Sequence, residues 1–266
     1  MTIVAVFKTC ATAINQTALI KRQGNKDKEF HFQNWFQKRL TDMNLNFDVP
    51  GRNSYPDFTL VNSTDGFEIK GLAYPGREAN YDSNSQVPKG THNGREIFYV
   101  FGRYPKVTDG DEYPVLDLVI CHGSFLNADN DYEHKNKNAK GFGSYGDIMI
   151  RDRKMYVVPT PYSLADGLAH HVTLVLPADT NVVDEELKIV GKLQRTEADE
   201  VLVDYTFNLE TNELLINKKP NVNAGKVHSF IAYRLQDAPD SPVSMRSIKE
   251  IVEELEDSVG EEFDVD

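Results

Sequence analysis

The sequence predicts an α/β fold, a mixed central sheet flanked by helices with a β-rich C-terminal elaboration, and three observations predict it. An amphipathic helical pattern over residues 30–43 is followed by an extended pattern from Tyr55 to Lys70 that reads as a β-hairpin. Two near-continuous apolar runs, Glu96 to Phe101 and Leu116 to Cys121, are bounded by Gly, Pro and Asp, as central strands covered on both faces are. From Met155 onward, short β-rich segments alternate with turn residues. The division that follows takes residues 1–154 as the core, 155–248 as a β-rich continuation packed on it, and 249–266 as an acidic C-terminal helix and tail.

In chain order, Thr2 to Phe7 is strand-like, Cys10 to Ile20 is helical, and neither segment carries chemistry. Asn25 or Asp27 caps the next helix, whose core stripe is Phe30, Trp35, Phe36, Leu40 and Met43. Tyr55 to Val61 and Phe67 to Lys70 are the hairpin strands, joined by the turn residues Asn62-Ser63-Thr64-Asp65-Gly66. Asp82 to Arg95 is polar, with Pro88 and two glycines that preclude a long helix. The C-terminal part reads as strands at Met155–Val158, Val172–Leu176, Val201–Asn208, Glu213–Asn217 and His228–Leu235, with a turn at Leu209–Asn212. Asp184 to Lys192 suits a helix because three acids occupy its first turn, and residues 243–257 suit a short amphipathic helix before a frayed acidic end.

Composition narrows the function classes. At 266 residues, 40% hydrophobic and 26% charged, the chain is long enough to bury a substantial core and is not disordered. The net charge of −12 argues against a general nucleic-acid coat protein, yet residues 249–266 hold nine acids and one lysine, which leaves only −4 for everything before them. A cleft needs local positive potential, not a positive protein. No apolar run reaches membrane-span length and the start lacks a basic leader, so a cytoplasmic protein with no membrane partner is expected. Cys10 and Cys121 are too few and too far apart for a disulfide framework or zinc cluster and read as small buried apolar residues. The adjacent His170-His171 lacks metalloprotease spacing, and the glycines of 141–146 lack the ending of a phosphate loop. Cys121, His122 and Ser124 have no companion that sequence can place, so strand-end polarity explains them.

The hairpin carries the chemistry. Strand side chains alternate, so Phe67 and Ile69 face the core while Glu68 and Lys70 face away, and pairing brings Asp57 beside them. Two carboxylates and an ammonium at one spot suit a hard divalent cation with phosphate oxygen as its further partner. Pro56-Asp57 followed by Glu68-Ile69-Lys70, after a helix carrying Glu29, resembles the signature of the PD-(D/E)XK nuclease superfamily and its type II restriction endonucleases. The resemblance implies a restriction-endonuclease-like core, catalytic Asp57, Glu68 and Lys70, and Mg²⁺ (Mn²⁺ as substitute) on Asp57, Glu68 and the Ile69 backbone carbonyl, with Glu29 as auxiliary ligand. Glu29 is equally explained by the preference of carboxylates for a helix start.

Downstream of the Glu-x-Lys strand, Ser83, Asn84, Gln86, Lys89, His92 and Arg95 resemble the DNA-facing segment of such enzymes, Asn, Gln and Arg being able to read base edges and Lys suiting phosphates. The alternative is a solvated loop. Lys135, Lys137, Lys140, Arg151 and Arg153 form the most basic segment and the rival DNA contact. The expected partners are double-stranded DNA, a second copy in a homodimer matching palindromic symmetry, and a methyltransferase of the same system that is not a stable subunit. A repair or recombination nuclease of the superfamily and a catalytically inactive DNA-binding protein on a vestigial nuclease fold are the alternatives.

Overall fold

The computed structural model describes residues 1–22, 28–48, 55–83, 86–108, 110–128, 139–151, 155–208 and 213–261. Helix α1 (Thr2–Asn15) occupies the whole N-terminal segment, so the strand expected at Thr2–Phe7 is corrected. Its β-branched residues are outweighed by position, because Ile3, Val4, Phe7, Cys10 and Ala11 recur at helical spacing and are all buried. A short β1 (Ile20–Lys21) leads to α2 (Lys28–Asp42). Here the stripe is His31/Phe32, Trp35/Phe36 and Arg39/Leu40, with Phe32 in place of Phe30, which is exposed. The Trp35 indole N–H donates to the Ala18 carbonyl at 2.9 Å and ties α2 to the segment that follows α1.

After β2 (Phe47–Asp48) comes the hairpin of β3 (Phe58–Leu60) and β4 (Asp65–Tyr74). The second strand starts earlier and runs longer than its apolar pattern suggests, because it pairs in parallel with β7 (Arg95–Pro105) over its whole length. Between them lie β5 (Asn80–Asp82) and β6 (Thr91–His92). The latter turns into β7 through Asn93 and Gly94, both at positive φ, which is the two-residue turn that Asn-Gly favours in hairpins. β8 (Glu112–Tyr113) pairs with β1, and β9 (Asp117–His122), every residue buried, runs antiparallel to β7 and ends in a 3₁₀ turn at Gly123–Phe125.

β10 (Ala139–Phe142), β11 (Ile148–Arg151) and β12 (Met155–Pro159) join β5 in a four-stranded sheet. Beyond α3 (Pro161–Leu164) and β13 (Ala165–Asp166), β14 (Val172–Pro177) lies parallel to β9 and carries the central sheet on through β18 (Val227–Leu235) to β15 (Leu187–Thr196). A helix at Asp184–Lys192 is therefore corrected to a turn and an edge strand. Asp184 Oδ1 accepts the Glu186 N–H at 3.0 Å, and the same residue chemistry that starts helices here makes a turn. β16 (Glu200–Asn208) and β17 (Glu213–Pro220) form a separate ribbon, whose connecting residues 209–212 lie outside the described residues. β19 (Ser244–Met245) pairs with β13, and α4 (Ile248–Glu261) continues well past the expected end of the C-terminal helix.

The central sheet, in the order β15-β18-β14-β9-β7-β4-β3-β2, separates two cores. One face, with Phe67, Ile69, Val100 and Ile120, packs on α1 and α2. The other, with Tyr99, Phe101, Val119 and Val175, packs on β5, β12, α3 and α4. Both cysteines are buried and free. Among the described residues no helix is long and apolar enough to cross a membrane.

Candidate active site

The β3–β4 register sets Phe58 opposite Phe67, so Asp57, one residue earlier, falls opposite Glu68. Asp57 Oδ2 accepts the Ile69 N–H at 2.8 Å, binding the carboxylate to the middle residue of Glu68-Ile69-Lys70. Within a strand, a residue's N–H and C=O project to the same edge. The Ile69 carbonyl therefore faces the Asp57 side, where β3 has ended and, among the described residues, no strand takes it up.

Glu68 and Lys70 project to the face opposite Phe67 and Ile69, as strand alternation requires, and Phe67 is anchored below by Phe36 at 5.3 Å between ring centroids. Lys70 Nζ lies 2.9 Å from Glu68 Oε1, with the two side chains 12% and 14% exposed. That face is thus a walled recess, not the open charged surface that alternation alone suggests. Its walls are tyrosines. The Tyr81 ring lies under the Lys70 ammonium at 5.9 Å, and the Tyr55 and Tyr99 hydroxyls meet at 2.9 Å. Burial, with a smaller contribution from the Glu68 charge, pushes all three phenols above their usual range, so they stay neutral.

The donor chemistry here fits a hard cation: Asp57 and Glu68 carboxylates and the Ile69 carbonyl are all oxygen donors. Among the described residues no group of three or more His, Cys, Asp or Glu side chains gathers to hold a metal. The protein's share would be two carboxylates and a carbonyl, as suits Mg²⁺, which keeps several waters. Glu29 lies on α2, but its side chain is outside the described residues.

The segment expected to face DNA is held against this recess. The Gly123 backbone presses on it so closely that a Cβ there would come within 1.8 Å of the Lys89 carbonyl, and Asn127 Nδ2 donates to the Pro88 carbonyl at 2.9 Å. His92 packs edge-on against Tyr55 at 5.0 Å, two residues from Asp57. Ser83 and Gln86 close a local turn, Gln86 N–H donating to the Ser83 carbonyl at 3.0 Å. Arg95 Nη1 donates to the carbonyls of Leu60 and Ser63 at 2.9 and 3.2 Å, which ties it to the hairpin turn. Asn84, Lys135, Lys137 and Arg153 lie outside the described residues, as do the side chains of Lys140 and Arg151.

Sequence reasoning missed one constellation. His122 Nδ1 lies 2.6 Å from Ser124 Oγ, and its Nε2 lies 2.7 Å from Glu96 Oε2. The His122 hydrogen bond holds the Glu96 carboxyl below its usual range, against burial. The imidazole also caps the 3₁₀ turn by accepting from the Ser124 N–H, so the group buttresses the turn that carries Gly123. Only the β7–β9 register, which sets Phe98 opposite His122, brings Glu96 close, and no local pattern signals it. Comparison of the chain with protein-family models, curated proteins and solved structures found no match.

Proposed function

We propose that this protein is a type II restriction endonuclease of the PD-(D/E)XK kind, hydrolysing phosphodiester bonds of double-stranded DNA at a defined sequence with Mg²⁺, or Mn²⁺ in its place. The observation that carries the reading is the bond from the Ile69 N–H to Asp57 beside the Glu68–Lys70 pair. It sets two carboxylates, a carbonyl and an ammonium on one strand edge.

Asp57, Glu68 and the Ile69 carbonyl would hold the metal, which when bound lowers the pKa of a water and offsets phosphate charge. Lys70 orients the attacking water and lends positive charge to the pentacovalent phosphate, a role that needs an ammonium rather than packing. The neutral tyrosine wall limits water and strengthens each of these charges. Lys89 and His92, held beside Tyr55, meet the DNA backbone, and Ser83 and Gln86 on the same segment are the candidates for base contacts. A homodimer supplies one such site to each strand of a palindrome.

One observation favours a second reading, a DNA-binding protein on a vestigial nuclease fold: Glu68 and Lys70 neutralise each other and are nearly covered. Incubation of plasmid DNA with the protein and Mg²⁺ decides. Discrete fragments establish restriction, smearing or nicking points to a repair-type nuclease with the same chemistry, and retained binding without cleavage to the vestigial form. Neither binding nor cleavage ends all three.

A further inference from the structure

Tyr55 stands where the segment expected to face DNA meets Asp57. Its hydroxyl lies 2.9 Å from that of Tyr99 and accepts the backbone N–H of Lys89. Its ring takes His92 edge-on at 5.0 Å between centroids. The charges of Glu68 and Lys70 both reach the same hydroxyl. Tyr81 and Tyr99, the other tyrosines of the recess, are buried, whereas Tyr55 is only partly so and packs at the edge of their cluster.

Both ends of this link are braced. The Lys89 end is backed by Gly123, where a Cβ would collide with the Lys89 carbonyl, and by Asn127, which donates to the Pro88 carbonyl. At the other end, a Cβ on Gly66 would come 2.8 Å from Pro56 Cγ, so Pro56 lies directly on β4. Asp57 follows and takes the Ile69 N–H. The path from Lys89 to the Asp57 carboxylate is therefore one hydrogen bond, one phenol ring and two steps of backbone. Close-packed groups transmit displacement because there is no free volume to absorb it. A shift at Lys89 moves Tyr55, and a shift of Tyr55 turns Asp57.

We propose that Tyr55 is a positioning residue, which passes the seating of a DNA phosphate on the Lys89 segment to the Asp57 carboxylate and so to the grip on the divalent cation. The inference rests on the nuclease reading and adds to it a residue that acts through Asp57. The Ile69 amide, held by Asp57, reports that placement without any cleavage. Tyr55→Phe removes the hydroxyl and keeps the ring against His92. Amide exchange at Lys89 and at Ile69 in the free protein should then speed up about tenfold. The Mg²⁺ concentration for half-maximal plasmid cleavage should rise about tenfold, the scale of losing a group that orients a metal ligand. Tyr99→Phe removes the other hydroxyl partner, keeps the Lys89 bond, and should leave exchange at Ile69 within about twofold of the wild type. Should Tyr55→Phe fail to fold, the wild type decides: a short duplex of mixed sequence, titrated without metal, should shift the Lys89 and Ile69 amide resonances with one midpoint. Unchanged Ile69 exchange in a folded Tyr55→Phe, an equal rise in Tyr99→Phe, or DNA binding that does not shift Ile69 overturns the inference and leaves the nuclease reading standing. A wild type that cuts no DNA overturns both.

Discussion

Two charged clusters share one face of the β4–β7 pair and differ in how their hydrogen bonds are completed. At one end, Lys70 and Glu68 meet at 2.9 Å beside the Ile69 carbonyl, which no strand among the described residues pairs. At the other, where Leu72 is paired with Arg103, the guanidinium holds Asp117 through Nε at 3.0 Å and lies between the rings of Tyr74 and Tyr162. Asp117 also accepts from the Tyr162 hydroxyl at 2.7 Å and the His170 N–H at 3.0 Å, and the Arg103–Asp117 pair is all but sealed from solvent. The Asp117 cluster is complete within itself and ties β7, β9 and α3 together. The Glu68 cluster lies at a strand edge, where among the described residues no strand takes up the Ile69 carbonyl. Completeness, more than burial, separates charge that holds a fold from charge available for chemistry.

Substitution tests that distinction. The largest effect is expected at Asp57. Asp57→Ala removes one of two carboxylates and should slow Mg²⁺-dependent cleavage by at least about 10³-fold, on the scale of the charge stabilisation a metal supplies, with DNA binding kept in a gel-shift assay. Wild-type cleavage in that variant would remove Asp57 from the site. Next comes Asp117→Ala, which leaves Arg103 buried without its anion and should lower urea-unfolding stability by about 3–5 kcal/mol, with cleavage per folded molecule unchanged. Lys70→Met keeps the side chain's length over Tyr81 and should lower the cleavage rate about 10²-fold with a thermal midpoint near that of the wild type. A large stability loss with an unchanged rate would move Lys70 into the class of Arg103.

The hairpin site was legible because it depends only on local rules. Period-two alternation puts Glu68 and Lys70 on one face, and turn residues return Asp57 to them. The enclosing tyrosines were not legible, since Tyr81 arrives from β5 in the second sheet. Arg103 with Asp117, and Glu96 with His122, depend on strand neighbours that no sequence interval encodes. Asp184 misled because an aspartate before an apolar stretch starts helices and closes turns alike, and here Lys8 from α1 binds it at 3.1 Å in the turn. Asn93-Gly94 was a readable hairpin signal that the polarity of its surroundings obscured.

The smallest expected effect lies between the two classes, at Glu96. Its carboxylate bonds His122 at 2.7 Å but is half exposed, so it is neither sealed like Asp117 nor set at a free strand edge like Glu68. The His122 hydrogen bond depresses its pKa below 4.5, so its contribution is present above that value and is lost as pH falls through the lower folded one. Solvent screening keeps that contribution under about 1 kcal/mol. Asp65, opposite Glu96 in the β4–β7 register, works the other way. Burial raises its pKa, the Glu96 charge adding to it, so its penalty is present at neutral pH and is relieved as the medium turns acidic. The two slopes oppose each other in the wild type. Glu96→Gln removes the first and, of the second, only the smaller part due to the Glu96 charge, leaving the part due to burial, so the variant should be slightly less stable than the wild type at pH 7 and close the gap below about pH 4.5. Chemical denaturation of both proteins across pH 3–7 measures the gap as a function of pH. If the gap does not change with pH, the Glu96–His122 bond carries no charge-dependent stability and acts only as a hydrogen-bonded prop for the turn beneath Lys89.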